Sequence, residues 1–142
     1  MDSTIPKLMT GTRLFILMGG LVAGMSFLRP HLSPEVQHTS WKTFYSKIPD
    51  TVTLHFDGDS MAVLTSTGVP VLQSTYKMKN DLITFHDYGG MNSCRDFSGS
   101  YHVRINGDTL VLVVDQDPCD GRTGTLISKP WIRVPIMAAV QR

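Results

Sequence analysis

At 142 residues and 15.8 kDa, 42% hydrophobic and 18% charged, the chain has the profile of a single globular domain rather than a disordered or fibrous one. Thirteen Lys and Arg against twelve Asp and Glu leave a formal charge of +1. No basic stripe with interleaved aromatic residues exists to displace counterions from phosphates, which excludes nucleic acid as a partner.

Residues 14–28, LFILMGGLVAGMSFL, form an uncharged apolar run flanked by Arg13 and Arg29, with Lys7 upstream. A helix that crosses a bilayer takes roughly 20 apolar residues, and the hydrophobic part of a secretory signal about 7–15. The run therefore reads as a signal peptide or an uncleaved N-terminal anchor. Ala23-Gly24-Met25 is the nearest approach to a small-x-small cleavage site, and only Ser26 interrupts the apolar surface, so a half-buried core helix has no polar face to show. No Cys closes the run to accept a lipid. This reading places the chain outside the cytoplasm, periplasmic or secreted, with membrane contact only through the N-terminal segment. The expected organisation is an export segment over residues 1–29, a short helix and linker over 30–50, a β domain over 51–136 and a tail over 137–142.

Ser33-Pro34-Glu35 is a helix start, with Ser as the cap and Pro at the first helical position, where its missing amide costs nothing. Val36, Ser40, Phe44 and Ile48 follow at a spacing of four, which predicts an amphipathic helix over residues 34–47, ended by Pro49-Asp50. From there the period is two. Residues 51–57 (TVTLHFD) put Val52, Leu54 and Phe56 on one face, and Asp57-Gly58-Asp59-Ser60 turns the chain. Strands follow over 61–65, 71–77, 82–87, with Ile83 and Phe85 on one face, and 100–105, with Tyr101, Val103 and Ile105 opposite His102 and Arg104. Asn106-Gly107-Asp108 carries the strongest hairpin signal, read as a type I′ turn with both central residues at positive φ. Residues 109–114 (TLVLVV) are apolar on both faces, which predicts cover on both sides, and 123–128 and 131–134 supply the last two strands.

Connections this short cannot hold the dozen or more residues of a parallel crossover, so neighbouring strands are antiparallel. The fold class is all-β, a small antiparallel meander closing into an eight-stranded barrel, with a two-sheet sandwich as the alternative. In a meander, successive connections alternate between ends, so the loops over residues 88–99 and 115–122 share one end. They carry Cys94 and Cys119, the only two cysteines, and an even pair in an exported chain reads as a disulfide.

Phe56-Asp57-Gly58-Asp59, Ser74-Thr75-Tyr76, Gly99-Ser100-Tyr101, Asn106-Gly107-Asp108-Thr109-Leu110, and Asp117-Pro118-Cys119-Asp120-Gly121-Arg122 followed by Pro130-Trp131 together give a stretch, residues 51–131, that resembles the bacterial lipocalin-like domains, small calycin-type barrels. The Asp-Pro-Cys-x-Gly-Arg run is the most distinctive piece. At Ser40-Trp41-Lys42 no Gly stands two residues before the Trp, a departure from the wider lipocalin pattern, and that segment keeps its helix reading. The resemblance implies a barrel whose interior holds a small apolar molecule.

No motif names a reaction. His55, His86 and His102 fall on the more polar face of their strands with no His-x-His or Cys-x-x-Cys spacing to converge on an ion, so no metal site is expected. Asp115, Asp117 and Asp120 crowd one loop, but calcium-loop spacing puts Cys119 where a ligand belongs; the loop reads as a solvated acidic turn with Arg122 as its counter-charge. With no Gly-x-Ser-x-Gly, no phosphate-cradling glycine loop and no nucleophile beside a base, neither catalysis nor a cofactor is expected. Tyr76, Phe85 and Tyr101 are the candidate ligand-binding residues, against the plainer reading that they are core.

The leading functional reading is an exported binding module for a small hydrophobic ligand. The alternative is an extracellular interaction or inhibitor protein that acts through its disulfide-braced loops, and an enzyme ranks last for want of paired ionisable groups. Interior space separates the first two, because an eight-stranded barrel is either filled by its own side chains or holds one small ligand.

Overall fold

A computed structural model of the protein describes residues 34–135; the expected export segment and the tail over 137–142 lie outside the described residues. Eight strands, β1 (Ser40–Tyr45), β2 (Asp50–Asp57), β3 (Ser60–Leu64), β4 (Pro70–Lys79), β5 (Leu82–Gly89), β6 (Ser98–Asn106), β7 (Thr109–Gln116) and β8 (Trp131–Arg133), form a barrel, with one helix, α1 (Asp120–Leu126), between β7 and β8. Each strand pairs antiparallel with the next, and β8 pairs with both β7 and β1 to close the ring. Among the described residues no helix is long and apolar enough to cross a membrane.

The architecture is the expected one, an eight-stranded antiparallel barrel with one short helix, but two elements exchange places. Residues 34–47, read as a helix, contribute β1 instead. Trp41, Thr43 and Tyr45 are buried there while Lys42 and Phe44 are exposed, a period of two that suits aromatic and β-branched side chains on a pleated wall. The spacing-of-four stripe does not bury as a unit: Val36 is in the core, but Phe44 is 47% exposed. The barrel therefore begins at Ser40 rather than at residue 51. Conversely, residues 123–128, read as a strand, lie in α1 and just beyond it. Cys119 caps this helix, its sulfur accepting from the Arg122 amide, and Arg122, Thr125 and Leu126 make a stripe at spacings of three and four that faces inward.

The expected cover on both faces of residues 109–114 is absent at their far end. Leu110 and Leu112 point inward, whereas Val113 and Val114 are 37% and 40% exposed. A bulge explains the change of phase, since Tyr101 pairs with Val114 but Ser100 pairs with Gln116, leaving Asp115 as an extra residue.

The two ends of the barrel differ. At one, which we call the turn end, two-residue connections join β2 to β3, β4 to β5 and β6 to β7, with Gly58, Asn80 and Gly107 at φ of 58°, 56° and 57°. Asp108 is not at positive φ, so the β6–β7 connection is not the type I′ turn expected. At the loop end, residues 46–49, 65–69, 90–97 and 117–130 make longer connections. All three register shifts in the sheet, beside Val63, Ser74 and Tyr101, lie toward that end. Bulges and long loops at one rim are where folds of this kind carry function.

The interior is occupied. Phe56, Tyr76, Phe85 and Tyr101 stack in sequence from the turn end toward the loop end, with ring centroids 5.2, 6.4 and 5.7 Å apart. Trp41, Leu54, Met61, Leu72, Ile83 and Leu110 are fully buried around them. Trp131 Nε1 donates to the Leu126 carbonyl at 2.9 Å, which docks α1 on the closing strand, and the Arg133 guanidinium lies 4.2 Å from the centre of the Trp41 ring.

Candidate functional site

The loop end is built around a disulfide. Cys94, in the loop over residues 90–97, and Cys119, at the start of α1, are bonded as expected, with their Cα atoms 5.9 Å apart. Directly under it Arg122 is fully buried between two carboxylates. Its Nε and Nη2 each reach an oxygen of Asp117 at 2.7 Å, a bidentate pair, and Nη2 also donates to the Phe97 carbonyl at 3.1 Å. Nη1 lies 2.9 Å from Asp87 Oδ2 in an ion pair whose angle falls short of a hydrogen bond.

The remaining acceptor sites are filled from the backbone and the barrel wall. The amide of Cys94 donates to Asp87 Oδ2 and the amide of Cys119 to Asp117 Oδ1, each at 2.8 Å. Ser74 Oγ donates to Asp87 Oδ1 at 2.6 Å, and the Tyr101 hydroxyl donates to Asp117 Oδ2. Burial alone would raise the Asp117 carboxyl, but hydrogen bonds from Arg122, Tyr101 and Cys119, and the charge of Arg122, outweigh it and hold the group below the usual carboxylate range. The Tyr101 phenol is pushed up, by burial first and then by its bond to Asp117. Burial opposes the charge on Arg122, yet its hydrogen bonds to Asp117 and its charge pairing with both carboxylates raise its pKa overall.

The reading of Asp117 and Arg122 as a solvated acidic turn is thus corrected, since both side chains are fully buried. Asp87 was missed altogether, although a signal for it stands in the sequence. The alternation that places Ile83 and Phe85 inward, carried two residues further, places Asp87 inward as well. Nothing comparable marks Arg122, because its burial follows from a helix where a strand was expected.

Gly99 completes the site by leaving room for it. A Cβ there would overlap Asp117 Oδ2 and stand 2.8 Å from Arg122 Nη2. Gly99→Ala should therefore cost about 1–3 kcal/mol in urea unfolding, as overpacking does. A cost near zero would mean that the ion cluster shifts freely.

The large apolar side chains exposed at this same end include Tyr88, Met91 and Phe97, at 48%, 55% and 53%. The loop that carries the last two is held in place. Asn92 Nδ2 donates to Thr125 Oγ1 at 2.8 Å and to the Tyr45 hydroxyl at 3.2 Å, and the Asn92 amide donates to the Val71 carbonyl at 3.0 Å. A loop fixed in this way has little conformational entropy left to lose on contact with a partner.

The three candidate ligand residues are brought together, but as members of the aromatic stack. Phe85 and Tyr101 are fully buried inside the barrel, and Tyr76, at its turn end, is 7% exposed. His55 and His86 are exposed, each beside one serine hydroxyl, and His102 stands with Asp81 and Asp115 on opposite ring nitrogens at 3.2 and 3.6 Å, an arrangement that cannot converge on one ion. Comparison with protein-family models, with curated proteins and with solved structures finds no match for this chain.

Proposed function

We propose that this chain is an exported, disulfide-closed binding module of lipocalin-like build, which engages a protein partner from outside its barrel through the loop end. The observation that carries the reading is the filled interior. A small hydrophobic ligand inside would have to displace the Phe56, Tyr76, Phe85 and Tyr101 stack, at several kcal/mol for each large side chain moved. What the barrel offers instead is Tyr88, Met91 and Phe97 at the rim, on and beside a loop pinned by a disulfide and a buried ion cluster. Exposed apolar side chains gathered on a rigid loop are a common form of protein contact surface. The disulfide supports an oxidising, extracytoplasmic setting.

The test is a photo-crosslinking amino acid placed at position 97 in the exporting cell, with position 67, on another loop of the same end, as control. One protein adduct specific to position 97 is expected, and it should vanish when Tyr88 and Met91 are both replaced by serine. Those substitutions remove exposed side chains only, so the unfolding free energy should stay within about 0.5 kcal/mol of the parent. A small molecule carried through native mass spectrometry, with no adduct at position 97, would return the function to ligand holding.

A further inference from the structure

The turn end carries a feature that the loop-end reading does not use: a cleft of about 400 Å³ between the residues that lead into β1, the β2–β3 turn and the end of β4. Pro34, Val36, Tyr76 and Met78 give its lining an apolar and aromatic part, and Gln37 and the acidic residues Glu35 and Asp59 line it as well. Among the described residues no Lys, Arg or His lines it. Neither carboxylate has a cationic partner among the described residues, since the neighbouring His38 is paired with Asp57 at 3.1 Å. The Tyr76 hydroxyl donates its proton to the Gly58 carbonyl at 2.8 Å.

We propose that this cleft is a binding site for a small organic cation with an apolar body, an ammonium group on a short alkyl or aryl chain. Its volume falls within the range of ordinary small-molecule pockets, about 300–1,000 Å³. Two carboxylates without a cationic partner among the described residues attract a cation to the cleft and repel an anion of the same shape. The negative field reaches the lining: the Tyr76 phenol is held above its ordinary pKa by burial and then by the charges of Asp59 and Asp57. The Tyr76 ring and the Met78 thioether, both in the lining, are soft, polarisable groups for the alkyl part and for the ammonium itself. Because this site lies at the other end of the barrel from the protein contact, either can fail without the other.

The experiment uses a matched pair of probes, octyltrimethylammonium and octyl sulfate, each titrated below its micelle concentration into the full chain carrying 13C-methyl methionine. The Met78 methyl reports on the cleft, and the buried Met61 methyl is the internal reference. The ammonium should shift Met78 in a saturable way and leave Met61 in place. Glu35→Gln with Asp59→Asn should weaken that binding by about ten-fold without changing the melting temperature, and added salt should weaken it in the parent only. Equal or tighter binding of octyl sulfate, an unchanged affinity in the double variant, or the absence of a saturable shift at Met78 would each overturn the proposal.

Discussion

Replacing Arg122 with methionine is expected to lower the stability of the barrel by about 3–5 kcal/mol, the usual consequence of removing one member of a buried ion cluster. The side chain itself is not the main source of that cost. Methionine fills much of the same volume, but Asp117 loses two hydrogen bonds at 2.7 Å and Asp87 loses its ion pair, and both carboxylates stay fully buried. Two like charges are then left facing each other with only Ser74, Tyr101 and the two cysteine amides to hold them. Urea unfolding at pH 7 measures the loss.

The same variant should reverse the pH dependence of stability. In the parent, the folded Asp117 carboxyl lies below its unfolded value, so its contribution is fully present above about pH 4 and is lost as the pH falls through the depressed folded value. Without Arg122 the largest influence left is burial, which raises the group above its unfolded value. The folded state then binds the proton more tightly than the unfolded chain does, and stability rises as the pH falls. Urea midpoints at pH 7 and pH 4.5 should therefore converge on the parent's at the lower pH. Parallel curves for parent and variant would mean that Arg122 does not set the protonation of Asp117.

How much of this was legible in the sequence depended on whether one period dominated a segment. Residues 51–57 and 82–87 alternate cleanly, and both are strands in the structure. Around Trp41 two periods compete: Val36, Ser40, Phe44 and Ile48 keep a helical spacing, while Trp41, Thr43 and Tyr45 keep a strand's. Pairing with β2 and β8 decides between them, and neither neighbour is visible locally. The exchange of β1 for α1 leaves the number of strands unchanged, so a correct count of eight concealed two misplaced elements. The disulfide was readable because the alternation of loop ends does not depend on those errors. The buried cluster was not, because a charged residue declares its burial only through the partners the fold brings to it. The Asp117 to Arg122 segment offered its charges as a solvated turn until α1 turned Arg122 inward.

Loss of the Cys94–Cys119 bridge, by reduction or by serine at both positions, is expected to cost about 3.5 kcal/mol from the freedom restored to the unfolded chain across a separation of 25 residues. In a domain of this size that lowers the melting temperature by roughly 15–25 °C. The bridge also acts on the folded state, because each cysteine amide is a donor to one of the buried carboxylates. Freeing the cysteines loosens those donors, so the effects of the bridge and of the cluster should not add. A mild probe keeps every variant folded: Ser74→Ala removes the 2.6 Å donation to Asp87. With the bridge intact, Cys94 still holds that carboxylate in place. Without it, Asp87 loses both donors and only its imperfect contact with Arg122 remains. Ser74→Ala should then cost more in the bridgeless protein than in the parent, with a coupling energy of about 1 kcal/mol in a double-variant cycle. Additivity within about 0.5 kcal/mol would assign the whole effect of the disulfide to the unfolded chain. A clear coupling would make the bridge part of the scaffold that holds Phe97 and Met91 at the rim, and reduction should then weaken partner binding at temperatures well below unfolding.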